Sequence, residues 1–391
     1  MPAAISCQSI VTPDGSLTPG AVVIGDDGRI VEAGVVPRVP EGAQVIDLPE
    51  ATLVPGFIDL HVHGGGGFSL ATHDSEEIRS YARWAVSHGV TSFLPTICAG
   101  SIDEGFEYIR TAAQASGPVD GGANVLGVNL EGPFVNPARR GALPAGWIAP
   151  PDIATFERLA EAADRNLRVM TFAPELPGAM ELLRAAVAGG IVVAIGHTDA
   201  DFDGAAEAFA SGASHITHAL NGMRRFHHRE PGPVFAALVR AGVSIELIAD
   251  GVHLHPATVQ ALISAAGFDR ITLVSDGVPP AGLNTGSFAL GAEEARVAEG
   301  RVLLPDGTIA GSAETLDHIV RNIVLGQAAD LSSAARMAST VPARVLGLDN
   351  RKGRIAPGYD ADLVALDAGL NVAMTWVQGR VVYARPGGAI Y

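Results

Sequence analysis

The sequence predicts an α/β protein: a (β/α)8 TIM-type barrel with a small β-sandwich domain built from both chain ends. Three observations predict it. Eight apolar strand-like runs alternate with segments of helical spacing, ligand-type polar residues fall where those runs end, and both chain ends read as short strands and turns.

At the N-terminal end, "AVVIGDDGRIVEAG" sets two apolar runs around Asp27-Gly28, a hairpin signal. At the other end, "DADLVALD" precedes "VAMTWVQGRVVYARPGG", which turns at Gln378-Gly379. Isolated hairpins are marginal in water. Residues 1–52 and 353–391 are therefore expected to pair into one small β domain, with residues 53–352 forming the barrel.

The eight runs are "TLVPGFIDLHVH", "VTSFLPTI", "ANVLGVNLEG", "LRVMTFAPE", "GIVVAIGHT", "SHITHAL", "VSIELIAD" and "ITLVSDG". Segments between them, such as "DSEEIRSYARWAVSHG" and "HPATVQALISAAG", have helical spacing and open with Asp, Ser, Pro or Thr near the cap. A doubly wound open sheet is the competing arrangement; the polar residues at the strand ends favour the barrel.

Composition narrows the function. With 48% hydrophobic and 17% charged residues, the chain can bury a large core, and no apolar run approaches the ~18 residues of a membrane span. A net charge of −16 excludes a general nucleic-acid or acidic-membrane surface, so an anionic substrate needs a local basic cluster. Cys7 and Cys98 are the only cysteines and support neither a disulfide framework nor a zinc ribbon. The N-terminus has no basic segment followed by an apolar stretch, and the expected location is cytoplasmic. Lys352, near the C-terminus, is the only lysine, which excludes a catalytic, phosphate-binding or carboxylated lysine from the barrel.

Five runs end in potential metal ligands: His61 and His63, Glu131, His197, His218 and Asp276. In a barrel, the strand C-termini converge on one mouth. His61 and His63, two apart on a strand, point the same way about 7 Å apart along the chain, within reach of one ion. Taken singly, each has a plainer reading. Glu131 reads as an acidic turn residue, Asp276 as a turn residue or cap, and His88 and His215 as hydrogen-bonded structural histidines. Together the six point to a metal site.

At this point the chain resembles a known group. "PGFIDLHVHG", histidines ending the fifth and sixth strands, an aspartate ending the eighth and "GRIAPGYDADLVALD" are similar to the amidohydrolase superfamily. "NLEGPF", "AIGHTDA", "THALNGM", "REPG", "ADGVH", "SDG" and "GSAETLDHIVRN" resemble the N-acetylglucosamine-6-phosphate deacetylase family, from about residue 50 to about residue 368. The missing barrel lysine agrees with the narrower choice. Many binuclear amidohydrolases bridge their metals with a carboxylated lysine, and Glu131 looks like the substitute carboxylate.

The resemblance implies that Glu131, His197 and His218 hold the principal divalent ion. His61 and His63, with Glu131 and Asp276, complete a second site where a family member has one. One or two ions per subunit follow, zinc first, with iron, manganese or cobalt as alternatives. Asp276 would be the catalytic acid and base. In the basic stretch "NGMRRFHHREPG", Arg229 matches a phosphate-binding arginine that can reach the neighbouring subunit's site, which implies a homodimer. Asn221, Gly222 and His253 match residues that touch the sugar and phosphate, while Arg224 and Arg225 read as a solvated loop.

Two positions depart from the family. Leu143 stands where the family carries a histidine that helps polarise the scissile carbonyl, and losing such a donor costs about 2.7–4 kcal/mol. A second ion, His227 or His228 would have to replace it. Gly222 stands where alanine is more usual, a change expected to matter little. The implied activity is hydrolysis of N-acetylglucosamine 6-phosphate. The rival readings are the galactosamine epimer or an unphosphorylated N-acyl compound, then a deaminase acting on a ring amidine, then a catalytically silent scaffold.

Overall fold

In the computed structural model, which describes residues 2–35, 37–283 and 285–386, eight parallel strands follow one another around a barrel. They are β1 (Phe57–Val62), β2 (Val90–Ile97), β3 (Val128–Glu131), β4 (Leu167–Phe172), β5 (Val192–Ile195), β6 (His215–Ile216), β7 (Ser244–Leu247) and β8 (Ile271–Leu273). β8 meets β1 through hydrogen bonds at the strand ends. Asp276 N donates to His61 O (2.9 Å), His63 N to Gly277 O (2.7 Å), and Ser275 N to Asp59 Oδ1 (3.2 Å). The barrel therefore closes at the level where the sequence places its ligands.

The connecting helices follow the capping chemistry. Ser75–Ala85 starts at Asp74, whose side chain accepts from Glu76 N, and buries Ile78, Tyr81, Ala82 and Ala85, the spacing of one helical face. Pro256–Ala266 carries Pro256 in its first turn and His255 at its N-cap.

The run Thr52–His63, read as one strand, is two. Gln44–Pro55 belongs to another sheet, and β1 starts at Phe57. Gly56 lies between them because a Cβ there would come within 2.4 Å of the Thr91 side chain of β2. Gly56 N donates instead to Asp362 O (2.8 Å).

Both ends of the chain supply one eight-stranded sheet. Gln44–Pro55 pairs in parallel with Ala3–Thr12 and antiparallel with Leu363–Leu366, which joins the N-terminal strands to Val372–Val377 and Arg380–Ala384. The expected hairpin at Asp27-Gly28 is present, with Ile24 opposite Ile30. This sheet has its own core, including Ile5, Ile24, Ile46, Leu53, Leu363 and Trp376. Residues 1 and 387–391, at the two ends of the expected small domain, lie outside the described residues.

Lys352 is buried on this side of the molecule, its Nζ 2.6 Å from Asp362 Oδ2 and 3.2 Å from Asp360 Oδ2. No helix among the described residues is long and apolar enough to cross a membrane.

Candidate metal centre

All six ligand-type residues sit at the C-terminal mouth of the barrel. His61 and His63 come from the end of β1 and Glu131 is the last residue of β3. His197, His218 and Asp276 follow β5, β6 and β8 within three residues. Backbone geometry marks three of them. His197, His218 and Asp276 have φ of 47°, 23° and 49°, left-handed conformations that cost energy outside glycine and cluster at functional sites.

Their side chains converge on Glu131. Glu131 Oε1 lies 2.9 Å from both His197 Nε2 and His218 Nε2, which are 3.1 Å from each other. Glu131 Oε2 lies 3.2 Å from His63 Nε2, and Asp276 Oδ1 lies 3.3 Å from His63 Nε2 and 3.5 Å from His61 Nε2.

This donor set fits a divalent cation. The outer nitrogens of three imidazoles are already engaged: His61 Nδ1 with Glu246 (3.1 Å), His63 Nδ1 with Thr96 O (3.0 Å) and His197 Nδ1 with Arg139 O (2.9 Å). Donation outward leaves the Nε2 lone pairs facing the carboxylates of Glu131 and Asp276, and such outer partners fix ring orientation in metal sites. His61 Nε2 is buried without a hydrogen-bond partner. Three overlapping triads each bring ligand atoms within 4.8 Å of one another: His61, Glu131 and His218; His61, His63 and Asp276; and His63, Cys98 and Glu131. That is more donor capacity than one tetrahedral ion takes.

The mouth opens into a cavity of about 500 Å³ that reaches His63, Glu131, His197, His218 and Asp276. Residues 52–382 match the sequence profile of the Amidohydrolase family. This chain belongs to that family. Its relatives include N-acetylglucosamine-6-phosphate deacetylase of Bacillus subtilis, 34% identical with 96% of each chain covered. N-acetylgalactosamine-6-phosphate deacetylase of Escherichia coli O157:H7 is 36% identical, covering 90% of this chain and 93% of that one. Among solved structures, a mutant of the Mycobacterium smegmatis N-acetyl-D-glucosamine-6-phosphate deacetylase, in complex with N-acetyl-D-glucosamine-6-phosphate, superposes with a TM-score of 0.91. It is 32% identical, and the match covers 98% of this chain and 100% of that one.

Around the metal centre of this amidohydrolase, the structure sorts the remaining site expectations. Asn221, Gly222 and His253 line the cavity. His253 Nδ1 is held by Asp250 Oδ2 (2.7 Å), and its Nε2 faces Asp276 Oδ2 at 3.9 Å. Burial lowers the His253 pKa, but the Asp250 hydrogen bond and the Asp276 charge lift it above the ordinary value. Gly222 matters more than its sequence reading suggests. Its φ is +56°, and a Cβ there would lie 2.7 Å from His197 Nδ1, so glycine lets this loop pack on a ligand-type histidine.

Arg229 is not brought to its own chain's cavity; it is exposed, with Nη1 2.8 Å from His228 Nε2. His227 and His228 lie on the same exposed loop, outside the wall of their own chain's cavity. Leu143 is buried in that wall, and Phe288 and Leu290 line the same cavity. Those two come from a three-stranded antiparallel sheet of Ser287–Leu290, Glu293–Ala298 and Arg301–Leu303, which the sequence reading did not place. His88 and His215 are hydrogen-bonded as expected of structural histidines, to Asp317 and to Glu246 and Ser244.

Sequence reasoning also missed Cys98, whose Sγ is 4.0 Å from His63 Nδ1, and Glu246, buried behind His61. The signal for Glu246 was a lone charge inside the apolar run "VSIELIAD".

Proposed function

We infer that this chain is a metal-dependent deacetylase that hydrolyses N-acetylglucosamine 6-phosphate to glucosamine 6-phosphate and acetate. The observation that carries the reading is the set of six ligand-type side chains at the barrel mouth, with Glu131 where other amidohydrolases need a lysine. A divalent ion held by Glu131, His197 and His218, zinc first, would supply a water of lowered pKa and a Lewis acid for the amide carbonyl.

The chain's own residues do the rest. Asp276 takes the proton of the attacking water and delivers it to the departing amine nitrogen, so the C–N bond breaks with its electron pair neutralised. Its position suits both transfers, with one oxygen toward His61 and His63 and the other toward His253. His253, held by Asp250, orients the sugar together with Asn221 and Gly222. Arg229 would bind the 6-phosphate of a neighbouring subunit's substrate as a bidentate guanidinium, in a homodimer. The expected location of such an enzyme of sugar-phosphate metabolism is the cytoplasm.

A second reading changes only the sugar. The Escherichia coli O157:H7 relative named for the galactosamine epimer is as similar as the glucosamine relatives, and Leu143 puts an apolar side chain in the cavity wall where the family carries a histidine. Acetate release from a panel of N-acetylhexosamines, with and without the 6-phosphate, tests both readings. Release from the glucosamine compound supports the first and release from the galactosamine compound alone supports the second. Release from neither removes both.

A further inference from the structure

Glu246 is a carboxylate with 1% exposure in the interior of a parallel barrel, and it lies outside the set of six ligand-type residues. Burying such a charge costs several kcal/mol unless hydrogen bonds compensate. Its compensation is specific. Oε2 accepts from His61 Nδ1 (3.1 Å) and from the backbone N of His218 (2.9 Å), and Oε1 faces His215 Nε2 (2.9 Å). His215 is in turn fixed from behind, its Nδ1 2.5 Å from Ser244 Oγ. A chain of four side chains, Ser244, His215, Glu246 and His61, thus runs from β7 to β6, back to β7 and on to the end of β1.

The consequence falls on His61. With Nδ1–H committed to Glu246, the lone pair is on Nε2, the buried atom that has no hydrogen-bond partner. That atom stands 3.6 Å from Glu131 Oε1 and 3.5 Å from Asp276 Oδ1. His63 Nδ1 has no carboxylate behind it, only the Thr96 carbonyl at 3.0 Å and Cys98 Sγ at 4.0 Å.

We propose that Glu246, braced by His215 and Ser244, is the positioning residue of a second divalent-cation site formed by His61, His63, Glu131 and Asp276. It fixes the tautomer of His61 and aims Nε2 between the two carboxylates, so the second site depends on a side chain that is not itself a ligand. The inference rests on the reading of these four residues as ligands.

The test is a cobalt titration. Protein stripped with a chelator is titrated with Co(II), following bound metal per chain and the visible absorption of each binding step. The unmodified chain should take two Co(II). Glu246→Gln keeps the shape and removes the charge, and should weaken the second step about 10–100-fold, the usual size of such outer-partner effects, and the first step by less, since Glu246 meets His218 only at its backbone N. Glu246→Leu should abolish the second step. Should that variant fail to fold, Ser244→Ala, which touches neither ion, should give a smaller loss confined to the second step.

One Co(II) per unmodified chain would overturn the proposal. So would equal weakening of both steps, or a lowered melting temperature with an unchanged titration, the result of a merely structural role. Two bound Co(II) with the expected variant pattern but no acetate from any substrate would sustain this proposal and remove the deacetylase reading instead.

Discussion

Asp276 Oδ2 lies 3.9 Å from His253 Nε2, while Oδ1 faces His63 Nε2 at 3.3 Å. One carboxylate therefore spans the distance between the ligand-type histidines of the mouth and His253. In the proposed reaction that is the path of the proton from water to amine. Asp276→Asn keeps the size of the side chain and removes the base. Its kcat should fall about 10²–10⁴-fold, the contribution of a positioned acid–base group. Elemental analysis should still find the ion on Glu131, His197 and His218. Turnover close to that of the unmodified enzyme would remove the assignment.

Arg229 stands outside its own chain's cavity, so the proposed phosphate contact would require a second subunit. Charge-assisted hydrogen bonds are worth about 1.5–3 kcal/mol, so Arg229→Ala should raise KM for the 6-phosphorylated sugar about 10–100-fold with kcat little changed. In mixed dimers of Arg229→Ala with Asp276→Asn, the one site with an intact Asp276 receives an intact Arg229 from the other chain, so it should regain the low KM that the Arg229→Ala homodimer loses. An unchanged KM counts against the phosphate contact, and the absence of any regain counts against the shared site.

Lys352 answers a question the sequence raised by having only one lysine. It is buried between Asp360 and Asp362, in a structural ion-pair cluster. Lys352→Met would leave both buried carboxylates short of a partner, and Arg351 compensates only Asp360. The expected loss is about 3–5 kcal/mol of stability, read from urea unfolding. A shift in the midpoint too small to resolve would mean that the aspartates find other partners.

Asp317 gives a pH signature away from the metal centre. Burial raises its pKa, but the His88 hydrogen bond and charge and the Thr315 hydroxyl outweigh it, leaving the carboxyl below its ordinary value. A carboxyl depressed in the folded state stabilises above its unfolded pKa of about 3.9, and that stabilisation is lost as pH falls through the folded value. Asp317→Asn should therefore lower the melting temperature at pH 7, with the gap closing in acid. A gap of constant size across that range would show that the charge carries no stability.

Much of the site was legible because barrel geometry converts strand ends into one place. The run ends "HVH", "NLEG", "GHT", "THAL" and "SDG" were enough to locate six side chains that meet within a few ångströms. Glu246 stayed hidden because its meaning depends on partners 185 and 31 residues away, His61 and His215, neither of which periodicity can supply. The break at Gly56 was missed because the run is apolar on both sides of it, and only the contact with Thr91 separates the two sheets. Phe288 and Leu290 were missed for another reason. Their strand is half exposed and short, so its pattern does not stand out, yet it lines the cavity that holds Leu143. For Gly222 the sequence offered a match to the sugar loop but not the tight space beside His197, which appears only in the folded chain.

If this barrel mouth hydrolyses the N-acetyl group of a phosphorylated amino sugar with a bound divalent ion, acetate release must depend on both the sugar and the metal. The most direct test measures acetate released from N-acetylglucosamine 6-phosphate by the purified protein, before and after chelation and after readdition of zinc. The expected result is acetate and glucosamine 6-phosphate in equal amounts, loss of both on chelation, and recovery with zinc. Metal-replete protein that releases no acetate from this sugar or its galactosamine epimer, or whose activity survives complete removal of metal, would contradict the claim.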